Sequence, residues 1–165
     1  MEPIRLAVTK LALCHGGAAA ATAIAGKLHT DALANRGRRT PQQTEGPYFV
    51  DGMPNRSDIT RDTSDGSVVE GIPLTLVINV HAIDEGTCIP LSGAQVDIWH
   101  AYPQRVYSGV QEQSTTGKNF LRAYQVTNDT GAVMLSTVFL GWYEGRAIHI
   151  HVKVRTFEGV EEAFE

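Results

Sequence analysis

Aliphatic and polar residues alternate in several short segments of the chain, as expected for strands with one buried face. In residues 74–81, the side chains at positions 74, 76, 78 and 80 are all aliphatic. The same reasoning predicts four further strands, at residues 94–99, 120–126, 132–139 and 147–154. Turn-forming residues separate these segments, and no long amphipathic helix accompanies them. The pattern therefore predicts an all-β fold, either a sandwich or a barrel.

The N-terminal arm, residues 1–43, differs from the rest of the chain because it is rich first in alanine and then in arginine. We expect this arm to be poorly structured or to form a short helix, and we place the folded domain at residues 44–165. Residues 1–30 have some features of a signal peptide, but Lys10 and residues 15–17 interrupt the apolar part. An alanine-rich helix is an equally good interpretation.

Charge and composition exclude some classes of function. The chain has 165 residues and a formal net charge of -4, and it carries no basic stripe. We therefore expect no binding to nucleic acid. No apolar run of about 18 residues is present, so no membrane span is predicted. The two cysteines, Cys14 and Cys88, fit either a disulfide or two free thiols. The sequence carries no signal of oligomeric state.

Two histidines share one face of the predicted strand at residues 147–154. Alternation places His149 and His151 on the same side, with Cα atoms about 6.5–7 Å apart, so their imidazoles can reach one ion. Two half-buried histidines without a metal fit the motif equally well. Tyr143 is a nearby oxygen donor, six residues before His149. A phenolate favours a hard ion such as Fe(III) over zinc, although packing at a turn is the other interpretation of Tyr143.

Seven short motifs follow one another in the sequence from residue 44 to residue 151. They are Thr44–Phe49, Arg56–Ile59, Val96–His100, Tyr107–Ser108, Phe120–Arg122, Gly141–Tyr143 and Arg146–His151. In this order they resemble the intradiol ring-cleavage dioxygenases, the family of catechol 1,2-dioxygenase and protocatechuate 3,4-dioxygenase. Each motif alone is weak, whereas the unbroken series is specific.

The resemblance implies an antiparallel β-sandwich that holds one non-haem ferric ion per chain. By position in the motifs, the metal ligands are Tyr107, Tyr143, His149 and His151. Tyr107 is assigned by the resemblance alone, since Tyr102 and Tyr124 are equally available by composition. The implied partners are a catechol-type substrate and dioxygen. The implied reaction inserts both oxygen atoms and breaks the bond between the two hydroxylated carbons, giving a muconate-type diacid.

The resemblance also assigns roles around the ion. Tyr143 and Arg146 are the predicted catalytic residues: Tyr143 leaves the metal and takes up a substrate proton, and Arg146 stabilises negative charge on the ring. A surface salt bridge is the other interpretation of Arg146. Tyr48, Asp58 and Arg146 are the predicted substrate-binding residues. His100 is interpreted as structural rather than as a ligand.

The sequence departs from the family pattern in several places. Arg105 stands where relatives usually have glycine, so the loop that carries Tyr107 is expected to sit differently. Ala101 stands where exported relatives often have cysteine, although the motifs still slightly favour an exported over a cytoplasmic protein. The chain ends earlier than its relatives, so we expect an incomplete sandwich at the C-terminus. Two alternatives stay open, a non-catalytic β-sandwich binding module derived from such an enzyme and a zinc hydrolase using His149 and His151.

Overall fold

The computed structural model describes residues 4–6, 40–84, 87–102, 104–140, 145, 147–156 and 161–164. These ranges contain nine strands, one 3-10 helix and no α-helix. The strands are β1 Ile4–Leu6, β2 Pro73–Asn79, β3 His81–Asp84, β4 Thr87–Pro90, β5 Gln95–Trp99, β6 Arg122–Val126, β7 Ala132–Val138, β8 His151–Arg155 and β9 Glu161–Phe164, and the 3-10 helix is Gln111–Gln113. Within the described ranges, no helix has the length and apolar character needed to cross a bilayer.

Two sheets pack face to face and share one core. One sheet has the strand order β1-β2-β7 and the other has the order β6-β5-β8-β9, while β3 and β4 form a separate hairpin. The core contains aliphatic residues from both sheets: Leu76, Ile78, Val133 and Leu135 from the first, and Val96, Ile98, Ala123, Val152 and Val154 from the second. The predicted all-β sandwich is therefore confirmed. Neighbouring strands run antiparallel except for the parallel pair β1–β2.

The predicted strand at residues 74–81 is divided in two. Its apolar face is buried as expected, with Leu74, Leu76, Ile78 and Val80 each at most 5% exposed. At Val80, however, the backbone N–H donates to Gly131 and the carbonyl oxygen accepts from Leu91. The first bond keeps the register of β2 with β7, but the second turns the Val80 carbonyl to Leu91. β2 therefore ends at Asn79, and β3 begins at His81.

The last predicted strand begins later than expected. β8 starts at His151, whose partner is Trp99, the final residue of β5. Residues 147–150 therefore have no β5 residue opposite them. A bond between the His149 ring and the Ala147 carbonyl further competes with strand pairing. As a result Ile148, an aliphatic residue within the predicted strand, is 47% exposed.

The N-terminal arm contributes a strand that the sequence pattern did not predict. β1 pairs in parallel with residues 74–76 of β2 over three residues, too short a run to show periodicity. Residues 7–39, where a short helix was expected, lie outside the described residues, and the domain boundary at residue 44 stays a prediction. In β4, Cys88 is disulfide-bonded, so it is not one of two free thiols.

Candidate metal centre

His151 is buried at the start of β8 and stacks on an aromatic neighbour. Its ring lies parallel to that of Trp99, with centroids 4.9 Å apart and an interplanar angle of 5°. The two residues are paired across β5 and β8, so the sheet register sets this stack. Because Trp99 is only 2% exposed, the imidazole of His151 is held in one orientation by a rigid surface.

His149 reaches the same place from the segment that precedes β8. Its ring is nearly perpendicular to that of His151, at 88°, with the centroids 4.9 Å apart. The Nδ1 of His149 lies 2.6 Å from the carbonyl oxygen of Ala147. Because a carbonyl can only accept, Nδ1 carries the proton and Nε2 keeps the basic lone pair. This is the arrangement typical of metal-binding histidines.

The third donor, Tyr107, comes from the loop between β5 and β6. It is 2% exposed, and its phenolic oxygen lies 3.2 Å from Nε2 of His151. The backbone of Tyr107 is held on both sides. Its N–H donates to the Gln113 side chain at 2.6 Å, and the Thr115 hydroxyl donates to its carbonyl at 2.6 Å. The structure thus brings together Tyr107, His149 and His151.

Arg105 allows the loop to turn just before Tyr107. Its φ is 74°, in the left-handed region that favours glycine. The Arg105 N–H donates to Tyr102 at 2.7 Å, and the Tyr102 N–H donates to Val106 at 2.8 Å, which closes the turn. Arginine at this position therefore adopts a backbone conformation typical of glycine and stores about 1–3 kcal/mol of strain. Whether the loop that carries Tyr107 sits differently from that of relatives stays a prediction.

Residues 45–51, which we call the strap, run along the face of β8 that carries His151. At one end, Glu45 pairs with the buried Lys153 at 3.2 Å. At the other end, Asp51 pairs with Arg155 at 2.9 Å. Since His151, Lys153 and Arg155 alternate along β8, the two ion pairs fix the strap over the same side of the sheet.

The middle of the strap contacts the donors themselves. Gly46 has a φ of 76°, and a Cβ built there would lie 3.5 Å from the Cε1 atom of His151. The ring of Tyr48 lies 4.7 Å from that of Tyr107. Phe49 packs edge-on against Trp99 with centroids 5.2 Å apart. The predicted substrate-binding residue Tyr48 is thus next to a predicted metal ligand.

Asp58 is the remaining predicted site residue that the structure describes. Asp58 is exposed and accepts hydrogen bonds from the N–H and hydroxyl of Thr60, beside Ser136 of β7. These contacts form a turn, and the role of Asp58 in substrate binding stays a prediction. Tyr143 and Arg146, the two predicted catalytic residues, lie outside the described residues.

Burial lowers the pKa of two residues near the centre, Arg122 and His100. Desolvation lowers the pKa of Arg122 to about 10, while nearby Tyr107 acts in the opposite direction. Arg122 therefore remains a cation at neutral pH. Desolvation likewise lowers the pKa of His100 to about 4. Neutral His100 bonds to Thr137 of β7 at 2.7 Å and to the Ala101 carbonyl at 3.0 Å, consistent with the structural role predicted for it.

The donors that converge here suit a hard cation. Two ligands bound at about 2.0–2.1 Å and separated by an angle near 100° have donor atoms about 3.2 Å apart. The measured separation between the Tyr107 oxygen and the His151 nitrogen is 3.2 Å. Within the described ranges, no three His, Cys, Asp or Glu side chains converge. The oxygen donor beside the two histidines is the Tyr107 phenol, and phenolate oxygen favours ferric iron.

Sequence reasoning missed the role of Trp99. Trp99 lies in the Val96–His100 motif, but the motif did not predict the stack of Trp99 on His151. A signal was present, because Trp99 alternates with Gln95 and Asp97 on the face of β5 opposite the core residues Val96 and Ile98. A tryptophan on that face can be buried only if another layer covers it, and the strap supplies that layer.

Comparison with curated proteins finds relatives with one enzymatic name, although no protein-family profile matches the sequence. The chain is 31% identical over 145 residues to a chlorocatechol 1,2-dioxygenase from Pseudomonas sp. (strain P51), covering 75% of this chain and 53% of that protein. It is 29% identical over 142 residues to a chlorocatechol 1,2-dioxygenase from Pseudomonas putida, covering 74% and 51%. The chain thus spans about half the length of these curated relatives.

Comparison with solved structures also finds dioxygenases. An intradiol ring-cleavage dioxygenase from Tetranychus urticae matches with a TM-score of 0.63 and 33% identity, covering 74% of this chain and 61% of that chain. The dioxygenase domain of a dioxygenase carbohydrate-binding protein fusion from Streptomyces sp. SirexAA-E matches with a TM-score of 0.56 and 30% identity. That match covers 75% of this chain and 71% of the domain structure.

Proposed function

Because this chain belongs to the intradiol ring-cleavage dioxygenases, we propose that it opens the ring of a catechol-type substrate with dioxygen. In this proposal both oxygen atoms enter the product, a muconate-type diacid. The observation that carries it is the 3.2 Å separation between the Tyr107 oxygen and His151 Nε2, with His149 beside them. The relatives named as chlorocatechol 1,2-dioxygenases support a catechol as the class of substrate.

Tyr107, His149 and His151, with Tyr143 as the fourth ligand, would hold one non-haem ferric ion. Such an ion would supply the Lewis acidity that activates a catechol ring towards dioxygen. Tyr107 enters the site as a phenolate, whose charge offsets that of the cation. His149 keeps its proton on Nδ1 through the Ala147 carbonyl and presents Nε2.

The remaining site residues bind the substrate and move its protons. Tyr48 and the strap form one wall and exclude water from the donors. Tyr143 accepts a proton from the incoming catechol, and Arg146 balances negative charge on the ring. Asp58 is assigned to substrate binding by the family motif alone. These assignments follow the family motifs and complete the proposed site.

The test measures oxygen uptake and iron content on the same sample. Purified full chain is supplied with Fe(III) and assayed against catechol, chlorocatechol, protocatechuate and hydroxyquinol. The proposal predicts one iron per chain, a visible tyrosinate-to-iron absorption band and uptake of one O2 per ring opened. A colourless protein that binds catechols without oxygen uptake would instead be a binding module, and stoichiometric zinc without iron would indicate a hydrolytic site.

We also propose that the protein is exported. Disulfides persist in oxidising compartments, and Cys88 is disulfide-bonded. Expression of the full chain followed by separation of cell and secreted fractions tests this proposal. Recovery only as a reduced protein inside the cell would contradict it.

A further inference from the structure

Arg122 lies beside Trp99 on the face of the sheet that carries His151, and its side chain bonds to the loop that carries Tyr107. It is 1% exposed and pairs in the sheet with Trp99, the residue stacked on His151. Its Nε donates to the backbone carbonyl of Ser108 at 2.8 Å and to the hydroxyl of Ser108 at 3.0 Å. That hydroxyl donates its own proton to Phe120 at 2.6 Å, so its lone pairs are available to Arg122.

The charge of Arg122 has no carboxylate partner within the described ranges. Its Nη2 atom is buried and has no hydrogen-bond partner among the residues that the structure describes. Burying a cation without a counter-charge is costly, so an anion close to Arg122 would stabilise the folded protein. Tyr107, directly before Ser108 in the chain, interacts electrostatically with Arg122 and would supply that negative charge as a bound phenolate.

We propose that Arg122 is a positioning residue for Tyr107. Through the Ser108 carbonyl it holds Tyr107 towards His151, and its fixed positive charge stabilises the phenolate. The inference rests on the proposed function in that Tyr107 is taken as a metal ligand. It also gives a role to the Phe120–Arg122 motif, which contains none of the proposed metal ligands. Since guanidinium is rigid and planar, lysine can supply the charge but not the same paired contact with Ser108.

Arg56 provides a matched control because it is another guanidinium that binds backbone carbonyls. It donates to Asn119 at 2.5 Å and to the carbonyl of Arg122 at 2.8 Å, and also to Arg61. These bonds hold the loop at residues 55–61 against β6, but none of them reaches Tyr107 or Ser108. Loss of Arg56 is therefore expected to lower the stability of the fold without moving the metal-binding side chains.

The experiment compares the full-length chain with Arg122→Gln, Arg122→Lys and Arg56→Gln. Fe(III) is titrated into each protein and followed by the visible tyrosinate-to-iron band. Arg122→Gln should lower Fe(III) affinity at least about tenfold, which corresponds to losing one charge-assisted hydrogen bond. Arg122→Lys should recover part of that loss because the charge is kept. Arg56→Gln should bind iron with unchanged affinity and an unchanged band.

Backbone hydrogen exchange of the iron-free proteins provides a second readout. Arg122→Gln should speed exchange at residues 106–110, and Arg56→Gln should not. Unchanged iron affinity together with unchanged exchange at these residues would overturn the proposal. If Arg122→Gln does not fold, Arg122→Lys decides by the same two measurements. Should wild-type protein bind no iron, the proposed function fails, while exchange at residues 106–110 still supports or overturns the role of Arg122.

Discussion

The phenolic oxygen of Tyr107 lies 3.2 Å from Nε2 of His151, although the two residues are 44 positions apart in the chain. They meet because β5 pairs with β6 on one side and with β8 on the other. The loop leaving β5 carries Tyr107 back over the first residue of β8. This meeting of loop and strand supports the proposed site more directly than the paired histidines do.

Replacing Tyr107 with phenylalanine removes one anionic donor while keeping the ring packed against Tyr48. We expect the visible tyrosinate-to-iron band to be lost or strongly altered. Oxygen uptake with catechol should fall by more than about 100-fold, which exceeds the loss usual when a residue that only supports a metal ligand is replaced. Absorption spectra and an oxygen electrode measure these effects. Tyr102→Phe, in the same loop, is the control and should keep both properties. Full turnover by Tyr107→Phe would remove Tyr107 from the ligand set.

His100 should make the fold sensitive to mild acid. Its folded pKa is lowered to about 4 by burial, whereas an unfolded histidine titrates near 6.5. Below about pH 6.5 the unfolded chain takes up a proton that the folded chain refuses, so stability is full above this pH and falls by about 3 kcal/mol down to pH 4. Urea unfolding over this range measures the slope. His100→Gln should be less stable at pH 7, but its free energy of unfolding should depend less on pH between 6.5 and 4. The same pH dependence in both proteins would show that His100 does not cause it.

Relief of the strained backbone at Arg105 should stabilise the protein. Arg105→Gly removes the cost of a φ of 74°, partly offset by a more flexible unfolded chain, for a net gain of about 1 kcal/mol. Chemical denaturation measures this gain. Leu121, which has a φ of 55° but is fully buried, is the contrast. Leu121→Gly should cost more than about 3 kcal/mol because its core packing is lost. Destabilisation by Arg105→Gly would indicate that the arginine side chain contributes more than its strain costs.

Two glycines with the same backbone conformation should differ sharply in their tolerance of alanine. Gly131 and Gly66 have φ values of 73° and 76°. A Cβ at Gly131 would lie 2.4 Å from the Val80 carbonyl oxygen, whereas one at Gly66 would meet nothing within 4 Å. Gly66→Ala should therefore cost about 1–2 kcal/mol and Gly131→Ala more than about 3 kcal/mol. Thermal and urea unfolding compare the two, and similar losses would refute the predicted clash.

The sequence predicted well those features that depend on residue alternation. The buried face of β2 and the convergence of His149 and His151 follow from which side chains share one side of the chain. Tyr107 could be assigned only through the family motifs, because its position depends on a loop that folds back over another strand. The stack of Trp99 on His151 depends on the register between β5 and β8, which no local pattern specifies. The late start of β8 likewise reflects where β5 ends.

The parallel stack of Trp99 on His151 gives the protein an internal optical probe. An indole 4.9 Å from the imidazole ring should lose fluorescence when a paramagnetic ion binds that ring. The sequence contains only one other tryptophan, Trp142, so Trp142→Phe would leave Trp99 as the sole emitter. Loading of the centre could then be followed by emission at micromolar protein, before any substrate is added and independently of turnover.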